Sequence, residues 1–463
     1  MVRKNNSTLD VLPDCLIHKI FSFQEAAKMS ILSKTWLNAW LTHPNLEFKV
    51  GNNIKIVDTI MERYRDGKIP IEKFELLDCE GSTHGLTSID KWIDTALQNG
   101  AKDLVIKVAS VSLSIFTILA AKSLRELVLE SCNTLMPISL SSGFGVASCN
   151  SLRKLSLNKV SLDENMFQTL INCCPLIVSF IFEYCLGLEK IELLNLQNIK
   201  SVSISTRRNL YVKIRAPTIE HLSYSGYLSN NLDVECPNLK SLDLSYMWTS
   251  GEFLQQLTFE SLNVLKIQYC GGIAEINSPN LVSFEYTGDQ ISELKIEFQS
   301  RKLKHSKIVL HCYDYLNDAW FCKLRTFLSN STSSCSQVSL YFPKGEKINM
   351  KNLQLHHIVA TPEVNVLNVD ILCQDEECPT FVDALLRSCH PRRLNLHSSI
   401  KMITCFIRRL MYMKNSSLSL SQLVEMEAFD AKKQPLQLRS GELLISNPTE
   451  RKKVFFLLDW RCN

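Results

Sequence analysis

The chain has 463 residues, enough for two or three ordinary domains or one long solenoid. With 45% hydrophobic and 21% charged residues it has the composition of a folded protein, which excludes an intrinsically disordered chain. A net charge of +4 over this length argues against a dedicated nucleic-acid binder, which carries a concentrated basic face.

The first ten residues, MVRKNNSTLD, contain no apolar run behind their basic residues, so no secretory signal is expected. The seventeen cysteines are then expected to be reduced thiols serving as small hydrophobes, in the nucleus and/or cytoplasm. In the stretch from Leu9 to Leu46, Pro13 suits a first helical turn, and Leu16, Ile17, Ile20 and Phe21 fall on one face. A second short helix is expected from about Glu25. Ser33 is placed to cap a third, which carries Trp36 and Trp40. Helices this short expose more apolar surface than they can bury among themselves, so they need a partner. Leu16, Ile20, Phe23, Ala27 and Ile31 also share one helical face, and the first two helices could fuse into one.

Gly51 to Pro70 reads as a helix with Ile54, Val57, Ile60 and Met61 on one face, ending near Gly67. A second helix, with Ile89, Trp92, Ile93, Ala96 and Leu97 at helical spacing, is expected from Ser88 to Gly100. The apolar window Leu104 to Ala121 holds Lys107 and several hydroxyl residues. Val111, Leu113 and Ile115 alternate in it, which favours a strand over a membrane span.

A triplet recurs along the chain: an apolar residue, two others, an apolar residue, one other, and a third apolar residue. It occurs at Ile71, Leu124, Leu152, Ile177, Leu188, Ile199, Ile219, Leu239, Leu262 and Leu281, naming the first residue of each. Pro175, Pro217, Pro237 and Pro279 lie two residues before a triplet. Cys79, Cys132, Cys185 and Cys270 lie three residues after one. The starts at Ile199, Ile219, Leu239, Leu262 and Leu281 are about twenty residues apart, the spacing of leucine-rich repeats. The starts at Ile177, Leu188 and Ile199 are too close, so one repeat there is split in two. Beyond Ile296 the signal thins, with a triplet at Val364, Leu367 and Val369, a helix expected over Phe381 to Cys389, and a loop between Cys322 and Ser339.

Strand alternation puts the residues between the triplet positions on the concave surface of such an array. Two rows result. One runs Val128, Ser156, Ile181, Ser203, Ser223, Asp243, Lys266, Glu285; the other runs Glu130, Asn158, Glu183, Ser205, Ser225, Ser245, Gln268, Thr287. Ser203, Ser205, Ser223, Ser225, Asp243, Ser245 and Lys266, with Trp248 at the loop edge, are the candidate target-binding residues, though serines on a wet strand face need no ligand.

Gly143 and Gly145 lack the strand and the third glycine of a phosphate loop. Cys373, Cys378, Cys389 and His390 do not have zinc-site spacing. His356 and His357, being adjacent, would point to opposite sides of a strand. With no HExxH, GxSxG or Walker loop, no enzyme, cofactor or metal is expected.

The run LPDCLIHKIFSF, the later EAAKMSILSKTW and Trp40 resemble the F-box of plant F-box proteins, and HPRRLNL and KVFFLLDW resemble the late strands of plant F-box/leucine-rich repeat proteins. About three residues usual between SF and EA are missing here. The resemblance implies an α/β fold, a short N-terminal helical F-box followed by a leucine-rich repeat solenoid with a curved parallel sheet. Its expected parts are residues 1–50, 51–298, and a degenerate continuation with a cap over 299–463. It also implies the substrate-recognition subunit of a ubiquitin ligase, docking on a SKP-type adaptor and through it a cullin, and holding an unknown protein target. By matching motif positions the adaptor contacts would be Leu12, Pro13, Leu16, Ile17, Ile20, Phe21, Ile31, Leu32, Trp36 and Trp40, on a surface weakened by the shortened turn. The alternatives are a binding scaffold that has lost its ligase connection and, behind it, a small-molecule receptor. Neither nucleic acid nor membrane is expected as a partner.

Overall fold

The computed structural model describes residues 12–51, 54–78, 86–109, 113–132, 136–139, 149–194, 196–208, 210–226, 232–247, 256–271, 275–289, 291, 295–297, 303–313, 316–331, 336–350, 361–372, 377–415, 423–436 and 450–461. The chain divides into two units, residues 1–226 with 231–236 and residues 227–230 with 237–463.

In the first unit the triplets become parallel strands. In order across the sheet they are β1 (Asn45–Lys49), β2 (Lys73–Asp78), β3 (Asp103–Val108), Glu126–Ser131, Lys154–Asn158, Ser179–Glu183, Ser201–Thr206 and His221–Gly226. The register aligns Leu46, Phe74, Leu104, Leu127, Leu155, Phe180, Val202 and Leu222 in one buried row. A second buried row holds Phe48, Leu76, Ile106, Leu129, Leu157, Phe182, Ile204 and Tyr224. No single repeat could bury these side chains, so each strand's core is completed by its neighbours. Pro175 and Pro217 stand in turns, where a fixed φ suits the chain's entry into the next strand. Neighbouring turns are tied by side chains, Asn198 Nδ2 donating to Pro175 O at 3.1 Å and Thr218 Oγ1 to Leu196 O at 3.1 Å.

The triplet at Leu188 belongs to a different sheet, in which Lys190–Leu194 pairs with Tyr211–Arg215 and that with Leu232–Glu235. That explains the crowded spacing. Two triplets were also hidden: β3 follows Ala101, and β1 follows His43, each fully or almost fully buried where a leucine is usual. Ile115, expected in a strand, starts a helical turn, Ile115–Leu119. The helices at Ile54–Gly67 and Leu86–Gln98 pack side by side, Trp92 Nε1 donating to Asp58 Oδ1 at 2.7 Å and Asn99 Nδ2 to Tyr64 O at 2.8 Å.

In the second unit parallel strands follow at Ser241–Ser245, Val264–Gln268, Ser283–Gly288, His305–His311, Gln337–Phe342, Glu363–Ile371 and His390–Ser399. Arg451–Trp460 then adds antiparallel to the last, and Leu423–Phe429 antiparallel to it. The expected loop between Cys322 and Ser339 is instead largely a helix, Asp318–Ser331, and the start of a strand. Phe321, Leu324, Phe327 and Leu328 bury its one apolar face, outweighing the Ser, Thr and Asn residues at its end. The expected helix before the late strand spans Pro379–Ser388, and Ile400–Asn415 forms another that the repeat pattern did not announce. Twelve cysteines among the described residues are free thiols, most of them buried. Cys132 is disulfide-bonded, so the expectation of uniformly reduced thiols does not hold there. Among the described residues no helix is long and apolar enough to cross a membrane.

Candidate functional site

Three short helices form the N-terminal head: α1 (Asp14–Ile20), α2 (Phe23–Met29) and α3 (Lys34–Leu41). The first two do not fuse. Ser22 stands between them in extended conformation and closes a capping box with Glu25: Ser22 Oγ accepts from Glu25 N at 3.3 Å, and Ser22 N donates to Glu25 Oε2 at 2.9 Å. The helix start thereby wins over the continuous apolar face, despite the short turn. The backbone N–H of Ser22 also holds the Glu25 carboxyl below its ordinary range. Ser33 caps α3 as its sequence position suggests, accepting from Trp36 N at 3.4 Å.

Ile17, Trp36 and Ala39 make the head's own core, with Leu12, Phe21 and Met29 packed against it. Phe21 meets Trp36 edge to face at 5.1 Å. Phe23 ties the head to the first repeat, meeting Phe48 of β1 at 5.4 Å and Trp40 at 6.1 Å, while Arg63 lies over the Trp40 ring at 5.3 Å. His43 is the pin of this junction: its Nε2 lies 3.0 Å from Phe21 O and its Nδ1 accepts from Asn45 N at 3.1 Å. Nδ1 also lies 2.8 Å from Asn45 O, and burial lowers the His43 pKa, which favours the neutral ring. Tyr64, pushed up to about 12 by burial, donates to His43 O at 2.9 Å.

The ten residues carried over as adaptor contacts therefore separate. Ile17 and Trp36 are buried, so they hold the helices together and cannot offer their side chains to a partner as they stand; Leu12, Phe21 and Trp40 are half-buried. Pro13, Leu16, Ile20, Ile31 and Leu32 are exposed, Ile20 at 61% and Ile31 at 87%. Leu37, which the motif did not single out, joins them. Five of the sixteen exposed large hydrophobic side chains among the described residues fall between Leu16 and Leu37. Single exposed apolar residues need no explanation, but this concentration makes the head a candidate docking surface.

The second candidate surface is the polar face of the repeat sheets. In the first unit Ser203 pairs with Ser223 and Ser205 with Ser225. In the second, Asp243 lies beside Lys266, with Nζ 3.5 Å from Oδ2, so these two charges answer each other, and Ser245 pairs with Gln268. Trp248 lies outside the described residues, as do Gly143, Gly145, His356, His357 and Cys373. Cys389 is fully buried, and Cys378 precedes the helix Pro379–Ser388.

Sequence reasoning missed a regular feature of the strand ends. Lys159, Tyr184, Tyr246 and Tyr269, each two residues after a triplet, have φ between 49 and 56°. Each donates its N–H to the neighbouring strand, to Glu183, Ser205, Gln268 and Thr287 O respectively. This left-handed position turns the chain off the sheet and aims a long side chain at the rim. In the second unit Tyr246, Tyr269, His311 and Tyr341 stack in sequence, with centroids 5.5, 6.1 and 4.8 Å apart. The signal was present in the sequence as a lysine or tyrosine at a fixed offset, but polar concave positions drew attention instead.

Parallel repeat strands with a capped helical head define a leucine-rich repeat solenoid carrying an F-box-like head. Residues 60–252 match the family model described as At1g61320/AtMIF1, LRR domain. The chain is similar to Arabidopsis thaliana F-box/LRR-repeat protein 25, 25% identical over 236 residues that make 48% of this chain and 87% of that one. It is 26% identical to F-box protein At5g03100 of the same plant over 237 residues, 50% of this chain and 74% of the relative. Over 128 residues it is 32% identical to F-box/LRR-repeat protein At3g44810, 23% of this chain but only 28% of that relative's length. Over part of its length the chain is thus similar to plant proteins of the F-box/leucine-rich repeat kind.

Proposed function

We propose that this chain is the substrate-recognition subunit of a SKP, cullin and F-box ubiquitin ligase. The observation that carries the reading is the concentration of exposed apolar side chains, Ile20 and Ile31 foremost, on a head whose own core is already complete without them. The head docks on a SKP-type adaptor, and the repeat sheets hold a protein target by their polar face or loop rim. The chain performs no covalent step. Its contribution is proximity, keeping a target lysine near the charged ubiquitin-conjugating enzyme at high effective concentration. It works in the nucleus and/or cytoplasm. The intact Ser22 capping box favours retained docking over a scaffold role, because α1 and α2 keep their separate directions despite the shortened turn.

The test is the affinity of the full chain for a purified SKP-type adaptor, beside an Ile20→Ser/Ile31→Ser variant. Fully burying an isoleucine contributes about 1.5–3 kcal/mol, so covering these two exposed side chains contributes about 2–4 kcal/mol. The double variant should bind roughly 30- to 1000-fold more weakly with an unchanged melting temperature. Absence of adaptor binding by the unaltered chain, or equal binding by both, refutes the proposal.

A further inference from the structure

Burial pushes the Cys185 and Cys389 thiols up to about 12 and those of Cys236, Cys270 and Cys405 up to about 11, which keeps them protonated and inert near neutral pH. Cys149 departs from this pattern. It lies in the segment before the strand Lys154–Asn158, and its N–H donates to Cys173 O at 2.7 Å. That carbonyl belongs to the peptide group joining Cys173, the last residue of the helix Glu164–Cys173, to Cys174, its C-cap. One backbone hydrogen bond thus sets side by side two cysteines from opposite ends of the same repeat.

The thiols of Cys149 and Cys174 face each other, with Cys174 donating to Cys149. The backbone N–H groups of Leu152 and Ser151 also donate to Cys149 Sγ, and Ser151 Oγ stands 3.8 Å from it. Donors from three residues therefore converge on one sulfur, an arrangement that suits a thiolate. Despite burial these bonds, that from Cys174 foremost, bring the Cys149 thiol down to about 6. The same contact, with burial, pushes the Cys174 thiol up, so it keeps its proton. Cys149 is 3% exposed and Cys174 not at all, so an incoming reagent meets Cys149 first. The cluster is not a metal centre: among the described residues no three His, Cys, Asp or Glu side chains are placed to hold an ion. Nor do Cys173 and Cys174 suit each other, because consecutive Cα atoms lie about 3.8 Å apart, short of the ~4.4 Å at which unstrained disulfides begin.

We propose that Cys149 and Cys174 are a reversible redox pair, in which Cys149 takes an oxygen from hydrogen peroxide and then closes a disulfide with Cys174. In the first step the Cys149 thiolate attacks one peroxide oxygen; an S–O bond forms, the O–O bond breaks, and the departing hydroxide takes a proton from solvent to become water. Cys149 is now a neutral sulfenic acid, so the charge that held the proton on Cys174 is gone. The Cys174 sulfur then attacks the Cys149 sulfur; the S–S bond forms, the S–O bond breaks, and the leaving hydroxide carries off the Cys174 proton as a second water. Two thiols have given up two electrons, and one peroxide has become two waters. A dithiol reductant reverses the bridge by exchange. The bridge ties the segment leading into the strand Lys154–Asn158 to the C-cap of the helix that follows it. It is independent of the ligase reading, since it uses only thiols within the first unit.

The test treats the full chain, reduced and then freed of reductant, with a small excess of hydrogen peroxide, with and without dimedone. Remaining thiols are blocked with N-ethylmaleimide, and the peptides are mapped by mass spectrometry without reduction. The unaltered protein should yield a peptide pair joined through Cys149 and Cys174 that dithiothreitol separates. Cys174→Ser should strand Cys149 as a sulfenic acid, seen as a dimedone adduct that the unaltered protein does not accumulate. Cys149→Ser should lose both the joined pair and the adduct, and Cys173→Ser should keep the joined pair. Closing the loop also restricts the unfolded chain, so the oxidised protein should melt roughly 5–10 °C above the reduced one. Most of that rise should vanish in Cys149→Ser and in Cys174→Ser, whereas the Cys132 bridge is common to all these proteins. The map of the unaltered chain decides the matter even where a serine variant misfolds. Cys149 left unoxidised while the exposed Cys15 reacts, or joined to Cys173 or to a second molecule, overturns the proposal. So does dimedone labelling of Cys149 in Cys174→Ser no greater than that of the buried Cys236 and Cys389.

Discussion

Acidification provides a quantitative test of how the second unit is closed. His390 opens the late strand His390–Ser399 and lies flat against Trp460 at 4.3 Å, with ring planes 3° apart, while Trp460 Nε1 donates to Pro391 O at 2.8 Å. Burial, reinforced by the Arg325 charge and opposed by Glu363, lowers the His390 pKa from 6.5 to about 4. The folded form therefore keeps a neutral ring, while the unfolded chain takes up a proton below pH 6.5. Stability from this group is fully present above pH 6.5 and is lost as the pH falls towards 4. At 1.36 kcal/mol per pH unit the loss reaches about 3 kcal/mol. That is an upper bound, because His390 also lines an open cavity with Glu363 and Asp459. His390→Phe keeps an aromatic ring against Trp460 and removes the titration. Urea denaturation of both proteins at pH 7, 6, 5 and 4 isolates the effect, since other acid-sensitive groups cancel in the difference. Unaltered protein should lose up to about 3 kcal/mol more than the variant over this range. Parallel losses would refute the argument.

Other perturbations bear on separate parts of the fold. Trp36→Ala empties the core of the head and should cost about 3–5 kcal/mol, seen as hydrogen exchange throughout α1 to α3 with the strands from Lys73 onward still protected. Ser22→Ala removes the capping hydroxyl and should cost about 1 kcal/mol, read as faster exchange in the first turn of α2. Gly187 has φ +91°, and a Cβ there would meet Leu162 O at 2.4 Å, which backbone must yield. Gly187→Ala should thus destabilise the first unit by roughly 2–5 kcal/mol, visible as a lower urea midpoint.

The repeat architecture was legible because its period survives in the residues that make the core: Leu127, Leu155, Phe180 and Val202 occupy one buried row at the positions their spacing assigned. The pattern failed where an unusual residue fills an ordinary place. His43 occupies the first position of the earliest repeat, where its ring hydrogen-bonds the head, and a fully buried Ala101 occupies that of another. The separation of α1 from α2 was not legible in apolar periodicity alone, since a four-atom capping arrangement at Ser22 decided it. Of the head residues matched by resemblance, order along the chain gave their presence but not their direction; only packing shows that Ile17 faces inward and Ile20 outward. Spacing did not announce the basic rim at the strand ends of the first unit, because Lys159 is far in the chain from the adjacent Arg207 and Arg208 and meets them through strand register.

The central claim is that the helical head is the part that docks. Hydrogen–deuterium exchange of the full chain, with and without a saturating purified SKP-type adaptor, addresses it directly. The account predicts new protection over α1 and from Ile31 through α3, with the sheet strands unchanged. Binding that protects the repeat strands and leaves these helices as they were would contradict it.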